Sequence, residues 1–229
     1  MPSIDQVGGL GSRISTDYPA REELRSFGIE VNVESGTEVK TTRELVGYRY
    51  RNVDNDRVVQ LRTTGLLFSR IPSSTHPYDE WEVSSAETKK LWPLYRDTLK
   101  PSRIKRIGVR YINRIRLPAG ASTLDEFFEA RPSLPSNIPL AIQSFVMRLV
   151  VPLPGIENGT LVVGQGTAND ATTPPGQTDI LLDLDVIRTV QLHCDSDESE
   201  LWAALDDLHA RENELFEAFI TPATRELFK

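Results

Sequence analysis

Apolar residues in this chain recur mostly at every second position, in short runs set off by turn residues. That period is the mark of half-buried strands. GIEVNVE (28–34) alternates Ile29, Val31 and Val33. ELVGYRYRN (44–52) and RVVQLRT (57–63) flank VDND, whose Asp and Asn accept turn geometry, so the pair predicts a β-hairpin. GLLFSRI (65–71) continues the pattern, with Gly65 a candidate bulge. Four later runs also predict strands: RIKRIGVRYINRIRL (103–117), IQSFVMRLVV (142–151), TLVVGQG (160–166) and DILLDLDVI (179–187). In the second of these, Phe145, Met147, Leu149 and Val151 share a face. Asn158-Gly159 joins it to the next as a hairpin signal, because both residues accept positive φ.

A helical period takes over in two long stretches. In SSAETKKLWPLYRDTLK (84–100), Ser84 and Glu87 have the spacing of a capping box, which predicts the helix start. Leu91, Trp92, Tyr95 and Leu99 then share one face. Pro93 removes a hydrogen bond and predicts a kink or a split, and Pro101 closes the segment. Near the end, Asp197 and Glu200 predict a second capping box, ahead of an apolar face of Leu201, Leu205, Leu208, Leu215 and Phe219. The opposite face carries Asp206, Asp207, Glu212, Glu214 and Glu217, read as a solvated surface or one turned to a basic partner. A shorter helix is expected around TLDEFFEA (123–130), and the polar, glycine-rich residues 1–20 are expected to be loose. Neighbouring strands joined by hairpins, with few helices, predict an α+β fold: a largely antiparallel sheet with helices packed mainly on one face. The expected organisation is a single domain over 1–229, in which the loose lead-in precedes an α+β body at 28–229.

Charge changes the picture at one strand. RIKRIGVRYINRIRL has six basic residues and no acidic one. With alternating faces, Ile107, Val109, Tyr111, Asn113, Ile115 and Leu117 point one way, and Arg106, Gly108, Arg110, Ile112, Arg114 and Arg116 the other. DILLDLDVI has the complementary pattern: Ile180, Leu182, Leu184 and Val186 against Asp179, Leu181, Asp183 and Asp185. In one sheet the two charged faces coincide, and each cross-strand pair stabilises by about 0.2–1 kcal/mol. This internal ladder is preferred to a basic groove for phosphate or nucleic acid, since aspartates on the same face repel phosphate. A mixed site is the other alternative: Arg110 and Arg114 on a phosphate, Asp183 and Asp185 on a divalent ion such as Mg²⁺.

Composition narrows the function classes. The 229 residues suffice for a sizeable core, and 39% hydrophobic with 26% charged residues is an ordinary globular balance. A net charge of −7 repels nucleic acid and anionic lipid, so no specific DNA binding is expected. The single cysteine, Cys194, excludes an intrachain disulfide and fits a reducing compartment. No apolar run approaches the about 20 residues of a membrane span, and MPSIDQVGGLGSRIS lacks the apolar core of a secretory signal. A cytoplasmic location without a membrane partner is expected.

Catalytic signals are weak. The D-x-D of Asp183 and Asp185 has no glycine-rich phosphate loop beside it. His193 and Cys194, near Asp195 and Asp197, fall short of four spaced zinc ligands and lack a third orienting group for a nucleophile. His76 in SSTHPYDEW and His209 beside Leu205 and Leu208 read as structural; Trp81, Trp92 and Tyr95 read as core. GQGTAND (164–170) follows a hairpin strand and lacks the spacing of a dinucleotide fingerprint. No residue is assigned as catalytic, and no cofactor is expected apart from Mg²⁺ under the mixed-site alternative.

GYRYRN, VVQLRTTGLLFSRI, PYDEWE, LWPLYRDTLKPSRIKRIGVRYINRI, LLDLDV and LWAALDDLHARENELFEAFIT occur in that order over residues 44–229. Together they resemble a sporadically distributed family of bacterial and archaeal proteins with no assigned activity. Arg110, Tyr111, Asn113 and Arg114 fall on its most recognisable motif, and Asp183 and Asp185 on its second. The resemblance implies a shared fold and makes the first four the candidate ligand-binding residues and the two aspartates the candidate metal ligands. Pro93 departs from the pattern. The family also implies an apolar strand and a helix before the segment matching DYPAREEL, so a sheet edge near Ile29–Val33 is expected to recruit a second polypeptide, either a copy of the chain or a separate subunit.

The leading expectation is a non-enzymatic module that binds another macromolecule, by analogy an accessory component of a toxin–antitoxin or phage-defence system. The alternative is an enzyme or sensor for a nucleotide or other phosphorylated ligand, using Arg110, Arg114, Asp183 and Asp185.

Overall fold

The structure is a computed structural model that describes residues 2–32, 38–71, 81–121, 123–135, 137, 142–194 and 197–228. His76 and much of the PYDEWE motif lie outside them. The fold is α+β, with two four-stranded antiparallel sheets in place of one continuous sheet. The chain divides into two compact units, Met1–Ser102 and Arg103–Lys229.

The first unit opens with α1 (Ile4–Ile14), where the glycine content predicted a loose lead-in. Three glycines lower helix propensity, yet Ser3 and Gln6 form a capping box and Val7, Leu10, Gly11 and Ile14 line one buried face. Gly11 is there for contact: a Cβ would stand 1.8 Å from the Tyr50 hydroxyl oxygen. Strands β1 (Ala20–Asn32), β2 (Glu38–Arg51), β3 (Arg57–Arg62) and β4 (Gly65–Arg70) follow in sheet order. The β2–β3 hairpin turns where VDND predicts it, with Asn55 at φ 58°. Gly65 pairs in register with Arg62, so no bulge forms there. β1 is an outer strand; its run continues to Val33, which lies outside the described residues.

Helix α2 (Trp81–Leu99) completes this unit and packs on β4 and α1. It is already helical at Ser84, so the expected Ser84–Glu87 capping box sits inside it: the Ser84 carbonyl accepts from the Thr88 hydroxyl, and Glu87 accepts from Tyr18. The helix runs through Pro93 without a break. Trp92 stacks on Tyr95 with ring centroids 5.9 Å apart, and the Tyr95 hydroxyl donates to the Arg62 carbonyl. This is the core role expected of both rings.

In the second unit the strands are β5 (Arg103–Leu117), β6 (Val146–Pro152), β7 (Gly159–Thr167) and β8 (Thr178–His193), in spatial order β5-β8-β7-β6. The expected helix at 123–130 shrinks to one 3-10 turn, Leu124–Glu126. Phe127 and Phe128 are buried, and the Phe127 carbonyl accepts from Thr221 N–H and the Thr224 hydroxyl. Tertiary anchoring outweighs helix propensity there. Between β6 and β7 the turn spans 153–158 and uses Gly155 and Asn158 at positive φ, while Gly159 already belongs to β7.

Helix α3 (Ser199–Phe219) packs on β8 and β5, and the short α4 (Pro222–Glu226) ends the chain. The apolar faces of β5 and β8 meet the buried stripe of α3: Leu201, Ala204, Leu208 and Glu212. Glu212 is a correction. Expected on the solvated acidic face, it is 2% exposed, because the helical period puts it four residues beyond Leu208. Burial raises its pKa from 4.5 to about 7. Among the described residues, no helix is long and apolar enough to cross a membrane.

Candidate functional site

Strands β5 and β8 pair antiparallel in a register that sets Arg110 against Asp185, Ile112 against Asp183 and Arg116 against Asp179. Period two then brings guanidiniums and carboxylates onto one face. Arg110 grips Asp183 with both ends, Nε and Nη2 donating at 2.8 and 2.6 Å. Arg106 donates to Asp185 at 3.2 Å. Glycines make room for the carboxylates: a Cβ at Gly164 would approach the Asp183 Cβ to 3.3 Å, and one at Gly108 would come 3.5 Å from an Asp185 oxygen. This stretch of the ladder is open to solvent, with the Arg110 side chain 54% exposed.

The end of the ladder is closed. Asp179 is fully buried and accepts from Arg114, Arg116 and the Thr173 hydroxyl. Arg114 also reaches Asp170 at 2.8 Å in the loop before β8. The Arg116 hydrogen bond, reinforced by Thr173 and Arg114 against burial, holds the Asp179 carboxyl well below the usual range. Asp170 is depressed too, chiefly by Arg114. At Asp185 burial prevails over Arg106 and Arg110, and the pKa rises.

Of the six candidate ligand and metal residues, Arg110, Arg114, Asp183 and Asp185 lie on this face, each bonded to an opposite charge. Tyr111 and Asn113 face the other way by strand parity. The Tyr111 hydroxyl lies 3.2 Å from Nδ1 of His209 on α3. Among the described residues, no group of three or more His, Cys, Asp or Glu side chains could hold a metal ion. Compared with known proteins, the chain matches no family model, no curated protein and no solved structure. The resemblance of its RIGVRYINRI and LLDLDV segments therefore rests on those motifs alone.

Sequence reasoning missed two features. The first is β6, an outer strand exposed along nearly all its length. Val146 is 90% and Val150 54% exposed, on the ladder side; Leu149 and Val151 are 40% and 39% exposed, on the other. Alternation in IQSFVMRLVV predicts a strand and carries no information about whether a neighbour covers it.

The second is a cavity of about 390 Å³ in the first unit, built on the β2–β3 turn and α2. Asn52 shapes the turn by accepting the Asp56 and Arg57 N–H groups. Asp56 is buried against Arg70, and Lys90 donates to Asp17 at 2.9 Å. The Tyr18 hydroxyl donates to Glu87 Oε1 at 2.7 Å, and burial followed by that bond drives its pKa far upward. Asp54 and Arg57 also line the cavity. Neither makes a side-chain hydrogen bond or ion pair among the described residues. The spacing of these residues along the chain left no signal, because they come from a loop, a turn, two strands and a helix.

Proposed function

We propose that this protein is a binding module that takes an extended polypeptide strand on β6. The carrying observation is an outer strand, Val146–Pro152, whose apolar side chains are exposed on both faces. An outer strand offers a row of backbone donors and acceptors to a second chain, and flanking apolar side chains add buried area when it docks. The paired ladder supports this reading over a phosphate site, because Arg110 and Arg114 each already turn Nε and a terminal nitrogen to aspartates.

The proposed occupant is a second copy of the chain. Antiparallel self-pairing centred on Leu149 sets Arg148 of one copy against Val150 of the other, so no like charges meet. Two-fold pairing is also the commonest arrangement of homo-oligomers. Light scattering on the full chain should report a dimer. Since each copy carries −7, added salt should strengthen the association by screening repulsion. Val150→Lys places two cations side by side and should give a folded monomer. A monomeric native chain at every concentration, or a variant that stays dimeric, would overturn the reading.

A further inference from the structure

The cavity of the first unit carries a separate inference, independent of β6. Its wall holds three cations, Arg57, Arg70 and Lys90, and four carboxylates, Asp17, Asp54, Asp56 and Glu87. Most of these charges are already matched: Arg70 with Asp56, Lys90 with Asp17. Three groups are left with capacity. The Arg57 guanidinium has no partner among the described residues, nor does the Asp54 carboxylate. Glu87 takes the Tyr18 hydroxyl and the distant Lys90 ammonium, 3.9 Å away, both on Oε1, which leaves Oε2 without a partner among the described residues.

We propose that this cavity binds a small zwitterion, a free amino acid in chemical class, with its carboxylate on Arg57 and its ammonium held by Glu87 Oε2 and Asp54. A guanidinium presents a planar fork that matches a carboxylate with two parallel hydrogen bonds. A carboxylate oxygen with no partner is the matching acceptor for an ammonium. The volume lies at the lower end of the range for small-molecule sites, which suits a ligand of this size. The charge balance decides against a simple anion. With four carboxylates against three cations among the described residues, an inorganic phosphate on Arg57 meets net repulsion from the rest of that wall.

The test is calorimetric titration of the full chain with the common free amino acids, each compared with its des-amino acid and its decarboxylated amine, and with inorganic phosphate. At least one amino acid should bind saturably at one site, with both truncated analogues weaker by about tenfold or more, since each leaves a charged group unpaired. Arg57→Gln should abolish that binding while the circular dichroism spectrum stays unchanged. Asp54→Asn should weaken the amino acid and leave the des-amino acid unaffected. Failure of every amino acid to bind, phosphate binding more tightly than any of them, or full binding retained by Arg57→Gln would each overturn the proposal.

Discussion

The ladder on β5 and β8 and the cavity beside the β2–β3 turn are built from the same chemical parts and end differently. In the ladder, strand register delivers a carboxylate to each guanidinium, as at Arg110–Asp183 and Arg116–Asp179. In the cavity, residues arrive from five separate elements, and among the described residues Arg57, Asp54 and one oxygen of Glu87 are left over. Pairing imposed by a repeating backbone geometry reaches Arg106, Arg110, Arg114 and Arg116 alike; pairing assembled from irregular segments leaves surplus among the described residues. That surplus is what the proposed ligand would use.

Five measurements would break or sharpen this contrast. The largest effect is expected from Arg70→Ala in the cavity wall. It takes the guanidinium from Asp56, whose side chain is 4% exposed and keeps the Asn52 amide, and removal of one charge of a buried pair costs about 3–5 kcal/mol. Urea denaturation measures it; a loss near zero would mean the wall is supported some other way. Asp179→Ala should come next, at about 3 kcal/mol, the lower end of the same range, because Arg114 and Arg116 can turn to solvent once it is gone. An effect no larger than that of an exposed ladder position would erase the distinction between the closed and open ends of the ladder.

Third is Glu212. Its folded pKa is raised to about 7 from 4.5, so the folded state keeps a proton that the unfolded state has released. Stability should therefore fall as pH rises from 4.5 to about 7 and level off above, by about 3 kcal/mol in all for this group. Glu212→Gln should remove that slope, as read from denaturation midpoints across this window; an unchanged slope would place its cause elsewhere. Asp170 and Asp179 act in the opposite sense. Their depressed pKa values contribute stability above their unfolded values, lost only as strong acid protonates them.

Fourth, Arg110→Ala in the open ladder should cost below about 1 kcal/mol, because an exposed pair gains little over hydration. The smallest effect belongs to Arg57→Ala, expected within about 0.5 kcal/mol of the native chain, since it breaks no side-chain hydrogen bond or ion pair among the described residues. A large loss of stability there would show that Arg57 is structural and would sharpen the contrast in the wrong direction for a ligand site.

Much of the second unit was legible in the chain. The six basic residues of RIKRIGVRYINRIRL and the aspartates of DILLDLDVI share a parity, and one strand pairing satisfies both. The VDND turn was legible because Asn at a left-handed position is a local preference. The α1 helix was not, because its three glycines argue against helix locally; its stability comes from Val7, Leu10 and Ile14 buried in the unit and from the close contact of Gly11 with Tyr50. Glu212 was assigned to the acidic face because its residue type was weighed above its position on the apolar stripe.

By itself the sequence determined what depends on period and local geometry: which segments are strands, where hairpins turn, which faces carry charge, and that the fold is α+β. Only the tertiary structure decided which strands became neighbours and which were left at an edge, as β6 was. It also decided which charges found partners and which, like Arg57, found none among the described residues. Period is written into consecutive residues by backbone stereochemistry, whereas neighbours and surplus depend on contacts between distant segments that no local pattern encodes.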